Sequence, residues 1–83
     1  MVKDITIYTS NTCAYCGMVK KYLAMKGQAY SEINIEDHPE RQTEMINMTG
    51  QIRVPVTVVT MTDGSQDVTV GYNISKLSAA LSS

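Results

Sequence analysis

The feature that most constrains this chain is a change of period between residues 9 and 16. Val2 to Thr9 alternates, with Ile5 and Ile7 on one side and Thr6 and Tyr8 on the other, the pattern of a β-strand. From Cys13 to Lys26 the apolar positions instead recur at about 100° per residue. Cys16, Met18, Val19, Tyr22, Leu23 and Met25 share one broad arc, and Gly17, Lys20, Lys21 and Ala24 lie opposite. This predicts an amphipathic helix closed by Gly27, a residue suited to a left-handed cap. Cys13 and Cys16, the only two cysteines, sit at the strand-to-helix junction.

The rest of the chain continues the alternation of elements. Tyr30 to Ile35 reads as a second strand. Asp37-His38-Pro39-Glu40 has the spacing of a capping box, with Asp37 as N-cap, and predicts a helix that buries Met45, Ile46 and Met48 and stops at Gly50. Val56 to Thr60 is a third strand, and Asp63-Gly64 is a hairpin signal leading to a fourth, Asp67 to Val70. Asn73 is placed to cap a last helix whose Ile74, Leu77 and Leu81 share a face. The order is therefore β-α-β-α-β-β-α. The first two strands pair in parallel through a helical crossover, and the last two form an antiparallel hairpin.

At 83 residues the chain suits a single domain, residues 1–83, and its 43% hydrophobic content suits a packed core. A formal net charge of −1 gives no field for nucleic acid or an anionic membrane surface. No stretch approaches the roughly 18 apolar residues of a membrane span. The start, MVKDITIYT, is not a basic-then-apolar signal sequence, so a cytoplasmic protein is expected, and separately a monomer.

In that compartment cysteines stay reduced unless redox chemistry is their purpose. A fold staple closing so short a loop gains least from the cross-link. A structural zinc site needs four ligands, and only His38, in a turn, adds to the pair. The remaining reading is a reactive dithiol. With Cys13 at the helix N-cap and Cys16 at the third position, free N–H groups of the first turn would stabilise a Cys13 thiolate. Cys16, one turn in, would be the more buried. Cys13 would then attack a substrate disulfide, and Cys16 would resolve the mixed disulfide. Met18, Met25, Met45, Met48 and Met61 read as core filler. Tyr15, between the cysteines, reads as a residue flanking substrate.

A strand followed by Thr12-Cys13-Ala14-Tyr15-Cys16, with Val54-Pro55 before a later strand, resembles the glutaredoxin family. The resemblance covers essentially the whole chain and implies a thioredoxin-like α/β fold, a four-stranded mixed sheet with three helices. It implies thiol–disulfide exchange with no cofactor. It also implies a cis Val54–Pro55 peptide facing Cys13, with Val54 offering its backbone to an extended substrate; were glutathione the ligand, Arg53 would reach its glycyl carboxylate.

Glutathione-using members carry proline where this chain has Ala14, often lysine where it has Ser10, and a Gly-Gly-x-Asp turn where it has Gly71-Tyr72-Asn73-Ile74. The Gly71-Tyr72 pair resembles instead the NrdH-redoxins, which are reduced by thioredoxin reductase and donate electrons to ribonucleotide reductase. Tyr15 is the glutaredoxin-type residue. The expected partners are disulfide-containing proteins, with thioredoxin reductase as electron source and glutathione as the alternative. An iron–sulfur cluster shared between two protomers is a further alternative, since Ala14 is small, but a single exposed thiolate would need external ligands.

Overall fold

The computed structural model describes residues 2–51 and 53–81. Its elements are β1 (Val2–Thr9), α1 (Cys16–Met25), β2 (Ser31–Asn34), α2 (Pro39–Thr49), β3 (Val56–Met61), β4 (Gln66–Val70) and α3 (Ile74–Leu81). The strands form one sheet in the order β2-β1-β3-β4. β1 and β2 are parallel, as expected of a helical crossover, and β3 runs antiparallel to both β1 and β4. The β3–β4 hairpin turns at Gly64, where φ is +92°, and the Asp63 carboxylate accepts from the backbone and hydroxyl of Ser65. The order of elements agrees with the sequence reading.

The sheet is covered on both sides. Ile5, Ile7 and Val59 pack with Val19, Tyr22 and Leu23 of α1 and with Leu77 and Ala80 of α3. On the other side Tyr8, Val56 and Val58 pack with Ile35 and with Met45 of α2. Alternation along β1 thus sends successive side chains into two different cores.

Several boundaries and burials differ from expectation. α1 begins at Cys16 rather than Cys13, because residues 14 and 15 form a turn and the first helical bond runs from the Val19 N–H to the Tyr15 carbonyl. Its end behaves as expected: Gly27 has φ +70°, its N–H bonds to Ala24, and the Gln28 N–H bonds to Leu23, a Schellman motif. Cys16, Val19, Tyr22 and Leu23 are buried, but Met18 and Met25 are exposed on the flank of the helix.

β2 is shorter than Tyr30–Ile35. The capping box at α2 does not form. The Asp37 and His38 N–H groups both bond to the Asn34 carbonyl, which delays the helix by one residue. His38 becomes the N-cap, and Glu40 sits too early to reciprocate. α2 ends at Gly50 in the left-handed region, as expected. Its inward stripe is Arg41, Gln42, Met45 and Thr49, so Met45 is buried while Ile46 and Met48 are exposed. Asn73 does cap α3, its Oδ1 accepting the Lys76 N–H at 3.1 Å.

Candidate active site

The turn between β1 and α1 places the two cysteines at the end of the sheet. Cys13 and Cys16 are joined as a disulfide, with Cα atoms 5.5 Å apart. Cys16 is 3% exposed, while Cys13 is only half-buried. The Cys16 N–H donates to Cys13 Sγ at 3.1 Å. Although the helix starts later than expected, the Cys13 sulfur still meets a first-turn N–H, the partner that favours negative charge there.

The turn is tethered by a neighbouring loop. The Asn11 N–H donates to the Glu36 carboxylate, and Asn34 Nδ2 donates to Asn11 Oδ1 at 2.8 Å. Asn34 Oδ1 in turn accepts the Glu36 N–H at 2.9 Å. These three residues escaped the sequence reading, because an Asn-x-Glu after a strand signals a local turn and says nothing of a contact some 25 residues away. At the end of β1, the Thr9 hydroxyl donates to Glu32 at 2.8 Å and holds that carboxyl below its ordinary range. Burial opposes the shift, and Lys20, 3.1 Å away, reinforces it.

Beside the cysteines lies a cleft of about 450 Å³. It brings together the six residues expected around a substrate: Tyr15, Arg53, Val54, Pro55, Gly71 and Tyr72. The Val54–Pro55 peptide is cis. Gly71, with φ +79°, donates its N–H to the Pro55 carbonyl at 2.7 Å, which fixes the β4–α3 turn against the proline. A side chain added at Gly71 would meet open space, so the positive φ is what glycine serves there. The Tyr15 and Tyr72 rings stack with centroids 5.9 Å apart and planes 7° from parallel. Among the described residues, none pairs with the backbone of Val54.

A cysteine pair at a strand-to-helix turn, with a cis-proline that shares a cleft with the tyrosine between the cysteines, on a β-α-β-α-β-β-α chain, is the architecture of the thioredoxin-fold redox proteins. The glutaredoxin family model matches residues 5–62, and the chain belongs to the glutaredoxin family of thiol–disulfide oxidoreductases. Glutaredoxin 3 of Escherichia coli (strain K12) is 36% identical over 52 residues, covering 63% of each chain. The glutaredoxin-like protein NrdH of Lactococcus lactis subsp. cremoris is 43% identical over 44 residues, 53% of this chain and 61% of that one. The matched stretches thus span under two thirds of either relative. A crystal structure of a glutaredoxin from Archaeoglobus fulgidus superposes with a TM-score of 0.81 at 22% identity, covering 96% of this chain and 87% of that one, a likeness of fold. Among the described residues, no helix is long and apolar enough to cross a membrane.

Proposed function

We propose that this chain, acting as one domain, reduces disulfides of cytoplasmic proteins through Cys13 and Cys16 and is itself reduced by a thioredoxin-reductase-type flavoenzyme. The observation that carries the chemistry is the asymmetry of the pair: a half-buried Cys13 whose sulfur accepts an N–H, against a Cys16 at 3% exposure. In the reduced protein the Cys13 thiolate attacks one substrate sulfur. The substrate S–S bond breaks, and its second sulfur leaves as a thiolate that takes up a proton. Cys16, deprotonated, then attacks Cys13 Sγ and expels the first substrate sulfur, which is protonated in turn. Two electrons pass from the two cysteines to the substrate, one proton comes from Cys16 and the other from solvent, and the Cys13–Cys16 disulfide results.

Substrate would lie along Val54, pairing with its backbone as an added strand. The Tyr15–Tyr72 pair would border that strand and Arg53 its far side, in the same cleft. A ribonucleotide reductase, the target that the NrdH resemblance implies, is one such substrate.

The choice of reductant rests on the β4–α3 turn. Holding glutathione at both ends needs a donor or acceptor for its glutamyl end, and this turn supplies little. Tyr72 stands where a second glycine would admit the ligand, and the Asn73 side-chain oxygen is engaged as the cap of α3. Lacking one charge-assisted hydrogen bond costs about 1.5–3 kcal/mol, roughly tenfold to a hundredfold in affinity. The test supplies oxidised protein with NADPH and thioredoxin reductase in one cuvette, and with NADPH, glutathione and glutathione reductase in another. Faster turnover with thioredoxin reductase is expected. Rapid turnover with glutathione alone would make glutathione the electron source.

A further inference from the structure

The net charge of −1 conceals a sharp division of charge. From Ile5 to Ser31, and again from Val68 to the last residue, the sequence contains no aspartate or glutamate. These stretches hold α1 and α3, which share one side of the sheet and carry Lys20, Lys21 and Lys76, with Lys26 just after α1. Glu36, Asp37, Glu40 and Glu44 gather in and before α2, on the opposite side. Lys20 is paired with Glu32, and Lys26 lies over the Tyr22 ring, 5.7 Å from its centroid. Among the described residues, Lys21 and Arg53 form no ion pair.

Among the described residues, the same side carries four of the six exposed large apolar side chains, the other two being Ile46 and Met48 of α2. Tyr15, Met18, Met25 and Tyr72 are between 41% and 74% exposed. A groove of about 270 Å³ runs along α1 between Met18, Lys21, Tyr22, Met25 and Tyr72. Tyr72 also lines the cleft beside the cysteines, so groove and cleft adjoin across one ring. The side chains lining the two include Lys21 and Arg53 and no carboxylate.

We infer that this groove is a docking surface for an acidic, extended peptide segment of the substrate, with one large apolar side chain seated between Met18, Tyr22, Met25 and Tyr72. The inference rests on the oxidoreductase reading above and names the class of substrate that the site takes. The charge decides the occupant: an apolar groove alone would accept many partners, but one lined by Lys21, with Arg53 in the adjoining cleft and no carboxylate lining either, favours carboxylates and repels a basic segment. The helix sets the reach. Cys16 to Met25 is about 14 Å at about 1.5 Å per residue, which an extended peptide covers in about four residues. The apolar anchor therefore lies within about five residues of the cysteine under attack, with acidic residues beside it.

The experiment uses full-length protein reduced with dithiothreitol, desalted, and mixed in single turnover with short peptides containing one internal disulfide. One peptide is acidic with a leucine four residues from the disulfide, the second has its acids replaced by lysine, and the third is acidic with serine for leucine. Hydroxyethyl disulfide is the uncharged control. At about 0.02 M salt the acidic leucine peptide is expected to react about tenfold faster than the lysine peptide. That gap should narrow at about 0.3 M salt, where the Debye length falls below about 6 Å. Lys21→Glu should slow the acidic peptide about threefold to tenfold and leave hydroxyethyl disulfide unchanged. Met25→Ser should slow the leucine peptide but not its serine counterpart. Equal rates for acidic and basic peptides at low salt would overturn the inference, as would a Lys21→Glu loss of equal size for hydroxyethyl disulfide. Failure of the wild-type protein to reduce hydroxyethyl disulfide would instead overturn the oxidoreductase reading beneath it.

Discussion

The two sides of the sheet are built differently. On the α1–α3 side, eight buried residues from four elements interlock, a Schellman motif closes α1 and the Asn73 side chain caps the start of α3. On the α2 side one fully buried residue of the helix, Met45, meets the sheet, and His38 at the N-cap makes no side-chain capping bond. Packing is concentrated around the helix that carries Cys16. The well-packed side holds the helix that presents the cysteines, and so the geometry of the reactive turn. The looser side reaches that turn through the loop before α2, by Glu36 and Asn34 on Asn11.

Truncating each side measures the contrast. Leu23→Ala, at a residue 0% exposed among branched and aromatic neighbours, should cost about 3–5 kcal/mol of unfolding free energy in urea titrations. Ile46→Ala, on the outer flank of α2 at 38% exposure, should cost about 1 kcal/mol or less. Similar losses for the two would break the comparison. The helix ends give a smaller version of the same contrast. Asn73→Ala should cost about 1 kcal/mol, since its Oδ1 satisfies the Lys76 N–H, whereas His38→Ala should stay within about 0.5 kcal/mol. Thermal unfolding of both variants checks this, and a larger loss at His38 would mean that α2 is capped after all.

How much of this was legible in the sequence follows from the range of each interaction. Element order, the strand-to-helix junction, Gly27, Gly50 and the Asn73 cap were readable, because each depends on residues within one or two turns. The start of α1 and the α2 cap were misread by one to three residues. There, competing local bonds displaced the helix starts: the bonded cysteine pair at one, and two N–H groups drawn to the Asn34 carbonyl at the other. Met18, Met25, Ile46 and Met48 lie on apolar arcs yet are exposed, because a helical arc shows which residues are apolar, not how wide a strip the neighbouring sheet covers. At the site, the cysteines announced themselves by spacing. Tyr15 follows from its place between them, and the other cleft residues enter through family resemblance. The Glu36–Asn11 tether and the stacking of Tyr15 on Tyr72 had no sequence signature, since each joins segments that only the folded topology brings together.

The central claim is that Cys13 attacks and Cys16 resolves. It is tested most directly by mixing Cys13→Ser and Cys16→Ser variants with a disulfide-bearing protein substrate, quenching with alkylating agent, and weighing the products under non-reducing conditions. A stable mixed disulfide between Cys13 and substrate is expected in Cys16→Ser, and none in Cys13→Ser, since Cys16 is 3% exposed one turn deeper. An adduct formed through Cys16 in the Cys13→Ser variant, at a rate matching the other, would contradict it.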